Sequence, residues 1–254
     1  MSSQQTALIT PQSDIEDFTR FEFKYVLNSD RVGLVERDIR QFMTYDGHIS
    51  ADYDDNYYVR SLYFDDRQRR NYYEKIDGMK SRRKYRLRTY APEPDAAVPI
   101  FLEEKNRIDN RVFKYRTRLD PDSVALLDDD VLRLKERHPN NVLIDRFAVR
   151  QFRSKEKPVV VVSYLRRAFV SDYDINFRIT LDSKLQAAPS RHLFGALPGE
   201  VRSCMAGYTI MEIKFARRIP SWFHRILQSY QLQRLSISKF CKAMEACRLA
   251  VDLS

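Results

Sequence analysis

The amino-acid sequence predicts an α+β fold of mostly antiparallel strands with helices at a few points. Three observations predict it. Several segments alternate apolar and charged residues with a period of two, the spacing of half-buried strands. Other stretches carry apolar residues at helical spacing. Short turns separate the densest run of strands, and no internal repeat breaks the order.

Residues 1 to about 17 are polar and aperiodic and read as a disordered tail; the remainder, 18–254, reads as one domain. Phe18 to Leu27 alternates and is rich in aromatics, a strand. Asn28, Ser29 and Asp30 offer a cap for the helix that carries Val32, Val35, Ile39, Phe42 and Met43. A polar loop over His48 to Asp55 leads to a strand at Tyr57 to Phe64. Asp65 to Ile76 reads as a short helix stopped near Gly78. Three strands follow: Arg82 to Tyr90, Ile100 to Ile108 and Arg111 to Leu119. The first two are joined by the proline-rich turn APEPDAAVP, the last two by a tight hairpin at Asp109-Asn110. Pro121 to about Lys157 is helical, broken at Pro139, with Pro121 in a first turn that tolerates it. Strands at Val159 to Val170, Asn176 to Leu181 and Tyr208 to Phe215 flank a loop-rich stretch, Ser183 to Gly207. The chain ends in helices at Ser221 to Leu232 and Ser238 to Val251.

Composition narrows the function. The net charge of +9 attracts polyanions: nucleic acid, anionic lipid headgroups or phosphorylated small molecules. With only 6 glycines, and neither a Walker A pattern nor a dinucleotide fingerprint, a phosphate site must be built from side chains. Cys204, Cys241 and Cys247 are an odd set without CxxC spacing, and His48, His138, His192 and His224 are scattered, so no disulfide framework or zinc site is expected. A reducing cytoplasm is the simplest compartment. The N-terminus lacks a signal-peptide pattern, and the longest apolar run, around Val159 to Val162, is far too short to span a bilayer.

The placement of charge is more telling. Residues two apart on a strand share a face. Arg20, Glu22 and Lys24 therefore share one, as do Arg86 and Arg88, and Glu103, Lys105 and Arg107. So do Lys114, Arg116 and Arg118, then Arg178, Thr180 and Asp182, and finally Glu212 and Lys214. Aromatic and aliphatic residues such as Phe21, Phe23, Tyr25, Ile213 and Phe215 occupy the alternate positions. These charged faces could be an ordinary solvated sheet surface. Alternatively, a barrel could turn them inward, with helices at 121–157 and 221–251 covering the apolar outside. An interior of many cations is costly unless anions fill it, and a phosphate chain would do so. The repeated Glu-x-Lys pairs, Glu22-Lys24, Glu103-Lys105 and Glu212-Lys214, add carboxylates able to hold Mg²⁺ or Mn²⁺.

The ordered segments RFEFKYVL (20–27), YVRSLYFDD (58–66), RRKYRLRTY (82–90), FLEEKNRI (101–108), RVFKYRTRL (111–119), VVSYLRRAFV (161–170), FRITLD (177–182), MEIKF (211–215) and SISKF (236–240) resemble one family. It is the catalytic, polyphosphate polymerase domain of the vacuolar transporter chaperone (VTC) family. That family sits among the triphosphate tunnel metalloenzymes with the CYTH-type phosphatases and cyclases. The resemblance spans about residues 20 to 245.

It implies an antiparallel β-barrel tunnel with covering helices. Carried over residue by residue, Lys24, Arg86, Arg88, Lys105 and Lys114 match tunnel cations at the catalytic centre. Tyr164, Arg166, Arg178, Ser238 and Lys239 match further phosphate-binding positions. Glu212 matches the metal-binding glutamate, with Glu103 and Glu22 as further candidates for Mn²⁺ or Mg²⁺. Arg167 competes with Arg166 by one residue, and Lys75, Lys80, Arg82 and Arg83 compete for a basic position ahead of the RxR strand. The first strand departs from the wider ExExK pattern at Arg20, which favours the VTC branch over CYTH-type hydrolysis.

The implied reaction is metal-dependent phosphoryl transfer from ATP to a growing polyphosphate chain. The alternatives are a triphosphatase or polyphosphatase in the same tunnel and a non-catalytic polyphosphate-binding module. No nucleic-acid partner is expected, because glutamates interleaved among the cations repel a phosphodiester backbone. Without the SPX domain and membrane helices of eukaryotic relatives, the resemblance implies a stand-alone cytoplasmic domain of bacterial type. Such a domain could sit at the inner face of the membrane with a membrane-protein partner.

Overall fold

The computed structural model describes residues 15–16, 21–48, 53–109, 111–195 and 200–251. Its strands, in chain order, are β1 (Ile15–Glu16), β2 (Phe21–Asn28), β3 (Thr44–Tyr45), β4 (Tyr57–Asp65), β5 (Ser81–Thr89), β6 (Ile100–Ile108), β7 (Arg111–Leu119), β8 (Lys157–Val170), β9 (Arg178–Pro189), β10 (Arg202–Ser203) and β11 (Tyr208–Phe215). Its helices are α1 (Ser29–Ile39), α2 (Arg70–Ile76), α3 (Pro121–Asp129), α4 (Val131–Arg137), α5 (Val142–Ser154), α6 (Ser221–Ser229) and α7 (Lys239–Ala246). All strands join one 11-stranded sheet in the order β1-β7-β6-β5-β4-β8-β9-β11-β2, with β10 on β9 and β3 on β8. Every pairing is antiparallel.

Local chemistry sets the helix starts. The side chains of Asn28, Asp120, Asp130, Asn141 and Ser238 each accept a backbone N–H from the first turn that follows them. Pro121 stands in the first turn of α3, as its missing N–H allows. The region 121–157 forms helices broken at Asp130 and again between His138 and Asn141, one more break than Pro139 alone predicts. Asp109 takes a left-handed φ of 53°, the conformation that the tight β6–β7 hairpin requires.

Among the described residues the sheet curls but does not close through hydrogen bonds, so the expected antiparallel barrel is met in part, by an open curled sheet. Both edges are already taken. The outer edge of β7 pairs with β1, Ile15 opposite Tyr115 and Glu16 opposite Lys114. On the free side of β2, the Leu235 N–H donates to the Lys24 carbonyl at 2.8 Å. The chain still links the two edges, since only residues 17–20 separate β1 from β2. That connection cannot span more than about 18 Å. The N-terminal tail expected over 1–17 lies largely outside the described residues, and within it Ile15–Glu16 is a strand. The first three residues of the predicted Phe18 to Leu27 strand lie outside them as well.

Three apolar clusters hold the sheet. Leu62, Phe64, Tyr85, Leu87 and Leu102 face outward and are covered by Leu127, Leu134, Ile144 and Phe147 of α3, α4 and α5. Tyr25, Leu27, Ile179, Met211 and Ile213 also face outward, under Val35 and Ile39 of α1 and Phe223 and Ile226 of α6. Each fully buried side chain of this kind contributes about 1.5–3 kcal/mol of transfer free energy.

The third cluster is on the concave side. Val59, Tyr63, Val160, Val162, Leu185 and Ala187 pack against Phe240, Ala243 and Met244 of α7. Only the first part of the 221–251 segment therefore covers the outside; α7 fills the inside. The inner residues of β8 and β9 at this level are apolar, so a helix can sit there without stranding charge. The stretch expected to be loop-rich, 183–207, is strand as far as Pro189. A register shift at Ser163/Leu165 and a left-handed Lys184 (φ 51°) obscured its periodicity. Among the described residues no helix is long and apolar enough to cross a membrane.

Candidate functional site

The concave face encloses a cavity of about 670 Å³. Strand pairing decides which charges reach it. On β5, Lys84, Arg86 and Arg88 point inward while Tyr85 and Leu87 point into the outer core. Lys105 lies across the ladder from Lys84 and Lys114, and Glu103 from Arg86 and Arg116. On the far side, Glu212 is opposite Lys24 and Thr180, and Lys214 is opposite Glu22 and Arg178.

The cavity is thus lined by Lys24, Arg86, Arg88, Lys105, Lys114, Tyr164, Arg166, Arg178, Ser238, Lys239, Glu22 and Glu212. Of the residues expected to bind phosphate or metal, Glu103 alone is not part of this lining. It is 1% exposed, clasped by Arg86 at 2.6 Å and Lys114 at 2.8 Å. The register resolves the first of the two ambiguities and narrows the second. Arg166 faces the cavity, whereas Arg167 points outward and donates from Nη1 to both carboxylate oxygens of Glu36. Lys75 and Arg82 line the cavity; Arg83 instead pairs with Glu104 on the outer face.

The arginines are held in place. Arg86 donates to Glu103 at 2.7 Å and to the Tyr63 hydroxyl at 3.0 Å. Arg88 donates to Ser61 at 3.2 Å and to the Tyr164 hydroxyl at 3.1 Å. Arg166 forks onto Asp182 at 2.6 and 2.8 Å, and Lys239 reaches the same carboxylate. Arg178 is tied to Asp46. The Ser238 hydroxyl accepts the Cys241 N–H and caps α7, so the start of that helix, the end that favours phosphate, borders the cavity.

These surroundings move the proton affinities. Burial pulls the Lys114 ammonium down to about 8, against the opposing pull of Glu103. Burial also lowers Lys105 and Lys84, despite Glu22 beside Lys105. Lys24 goes the other way: burial opposes its charge, but Glu22 and Glu212 outweigh it and raise its pKa. Burial and the neighbouring Glu212 push the Glu22 carboxyl up, yet Lys105, Lys24 and Lys214 hold it below its ordinary value. Glu212 is likewise held low by Lys214, Lys24, Lys239 and Lys105 against burial. Both carboxylates are therefore ionised at neutral pH.

That pair suits a hard divalent cation. Glu22 and Glu212 lie on neighbouring strands, close enough to disfavour each other's charge. Thr180, across the ladder from Glu212, has a buried hydroxyl with no hydrogen-bond partner. Mg²⁺ and Mn²⁺ are commonly held by one or two carboxylates, with phosphate oxygens and waters completing the shell. The expected three-glutamate set does not converge. Among the described residues, no group of three or more His, Cys, Asp or Glu side chains forms a metal-holding cluster. Glu103 stands on β6, several strands from β2 and β11 in the sheet, and serves as counter-ion to Arg86 and Lys114.

The structure also adds residues. Lys84 continues the alternation already visible on β5, and Lys214, already on the Glu212 face in the sequence, reaches the cavity with it. Tyr57, Tyr63 and Tyr90 reach the cavity too; in the sequence they lie within predicted strands and nothing singles them out. Arg234 lies on the irregular segment before α7, where no periodicity could flag it.

No curated protein matches the chain. Among solved structures, the PH1819 protein from Pyrococcus horikoshii OT3 is similar at 14% identity, covering 89% of this chain and 98% of that one, with a TM-score of 0.46. A candidate adenylate cyclase from Bacillus halodurans is similar at 15% identity, covering 86% of this chain and 92% of that one, with a TM-score of 0.47. The sequence profile of the VTC domain matches residues 19–248, a span that includes every cavity-lining residue named above, and the chain belongs to the VTC domain family.

Proposed function

We propose that the cavity binds the phosphate chain of ATP and of inorganic polyphosphate, and transfers the terminal phosphoryl group of ATP to the growing chain. One observation carries this reading: the inward cations of β5, β6 and β7 face the Glu22–Glu212 pair across a single cavity. A phosphate chain satisfies both sides at once, offering anionic oxygens to the cations and further oxygens to a metal on the carboxylates.

Phosphoryl transfer needs positioning and charge neutralisation more than a covalent nucleophile. Arg86 and Arg88 meet the first need, because Glu103, Tyr63, Ser61 and Tyr164 fix their guanidinium groups before any ligand arrives. Lys105, Lys114 and Lys239 add point charges, and the start of α7 adds N–H donors. Glu22 and Glu212 would hold Mg²⁺ or Mn²⁺, which supplies charge neutralisation on the phosphate oxygens. The test is to incubate the purified protein with ATP and Mn²⁺, then resolve polymer by gel and measure free phosphate. Polymer supports the polymerase reading, free phosphate alone replaces it with a hydrolase, and binding without turnover replaces it with a binding module.

A further inference from the structure

The two ends of the cavity differ in a way that phosphate binding alone does not explain. Tyr57 is the first residue of β4 and Tyr90 follows the last residue of β5, so antiparallel pairing brings both to the same end. Their rings lie 6.1 Å apart at 62°, and the His48 ring lies 6.2 Å from Tyr57 at 74°. These are edge-to-face contacts, so neither pair uses up both faces of a ring. Tyr57 and Tyr90 line the cavity and are only partly buried, and His48 is exposed. The opposite end, at the start of β5 and the finish of β6, carries Lys75, Arg82 and Arg107 instead.

A bare phosphate chain presents no apolar surface for aromatic rings to cover. A nucleotide does. Tyr57 stands across the ladder from Arg166, and Arg178 is tied to Asp46, two residues before His48. The aromatic end is therefore contiguous with phosphate-binding arginines. We propose that Tyr57 and Tyr90, with His48 at the rim, form a stacking subsite for the base of a nucleoside triphosphate. The α-phosphate then lies at Arg166 and Arg178, and the terminal phosphate lies deeper, among the cations of β5 and β6. This rests on the phosphate-cavity reading above and adds a direction to it: the nucleotide enters by the aromatic end, base last.

The test compares two ligands on one protein. ATP and tripolyphosphate are titrated calorimetrically into wild type and into Tyr90→Leu. Base–aromatic stacking corresponds to roughly a 5- to 150-fold effect. ATP binding should weaken about tenfold in the variant, while tripolyphosphate binding stays within about twofold. Equal weakening of both ligands overturns the subsite but leaves the phosphate cavity standing. A wild type that binds tripolyphosphate and not ATP does the same. A wild type that binds neither overturns the cavity reading itself. Saturation-transfer NMR on wild type gives a measurement that needs no variant. The adenine H2 and H8 protons of bound ATP should receive saturation; none reaching them while ATP is bound overturns the proposal.

Discussion

The two walls of the cavity carry similar side chains to different effect. The wall of β5, β6 and β7 presents lysine and arginine with one carboxylate, Glu103, sunk among them and 1% exposed. The wall of β2, β11 and β9 alternates sign: Glu22, Lys24, Glu212, Lys214, Arg178 and Asp182. On the first wall the carboxylate is fully engaged and serves the cations by fixing them. On the second, Asp182 is clasped by Arg166, but Glu22 and Glu212 share flexible lysines at 2.9–3.7 Å, contacts that an incoming metal and phosphate can replace. One Glu-x-Lys pattern thus yields two roles, and burial and partner type decide which.

The sharpest way to break this contrast is to neutralise one glutamate on each wall. Glu212→Gln should lower Mn²⁺-dependent turnover by about 100-fold or more, since a hard cation depends on carboxylate charge. Its unfolding midpoint in urea should stay near wild type, because Lys24 keeps Glu22 at 3.0 Å. Glu103→Gln should do the reverse in kind. Losing a buried charge that holds Arg86 and Lys114 should cost on the order of 3 kcal/mol in urea unfolding. If Glu103→Gln is as stable as wild type, or Glu212→Gln turns over normally, the two walls do not differ as described.

A ligand reads the same contrast less severely. Tripolyphosphate that binds only the folded protein stabilises it by about 2.7 kcal/mol at a hundredfold excess over Kd. That corresponds to a rise in Tm of roughly 5–10 °C for a domain of this size. Arg86→Ala or Lys114→Ala should blunt the rise, and sulfate at equal ionic strength should produce less of it. The free proteins should differ as well. Arg86→Ala removes a partner of buried Glu103 and should lower the starting Tm, so the walls are not merely self-repelling cations awaiting an anion. Equal shifts with tripolyphosphate and sulfate would return these faces to ordinary charged surface.

Much of this was legible in the sequence, and the remainder failed for identifiable reasons. Period-two alternation grouped Glu22 with Lys24, Arg86 with Arg88, Lys105 with Arg107, Lys114 with Arg116 and Glu212 with Lys214, and all of these line the cavity, because a strand's parity fixes its faces once one residue is placed. Adjacent cations defeated it. Arg82 and Arg83, like Arg166 and Arg167, are the same residue type one position apart, and only the ladder register shows which of each pair faces inward. The bulge at Ser163/Leu165 shifted parity and hid the second half of β9. Closure and the seat of α7 are tertiary choices: amphipathic spacing reveals that a helix has an apolar face, not which side of the sheet it covers. The metal set was overdrawn because Glu103 and Glu212 sit in the same Glu-x-Lys pattern, while burial, absent from the pattern, separates them.

Lys114 offers the finest probe of the cationic wall. Burial, opposed by Glu103 and reinforced by Arg88 and Arg86, brings its pKa to about 8, so it loses its proton within an accessible range. On the other wall Lys24 is shifted upward and keeps its proton there. A bound polyanion favours the charged ammonium, so tripolyphosphate affinity should fall as pH rises through about 8, by at most about tenfold per pH unit for this one group. Arginine cannot deprotonate in this range, so Lys114→Arg should flatten that part of the slope. The ligand's own titration is common to both proteins and cancels in their ratio. Stability gives an independent sign. A lysine whose folded pKa lies below its unfolded value binds fewer protons in the folded state between the two. Folding stability of the free wild type should therefore rise from about pH 8 toward the ordinary lysine value, relative to Lys114→Arg. Calorimetric affinities and urea midpoints between pH 7 and 10 measure both trends. Parallel profiles for the two proteins would mean that Glu103 holds the Lys114 proton throughout. The cationic wall would then be as firmly charged as Lys24 opposite it.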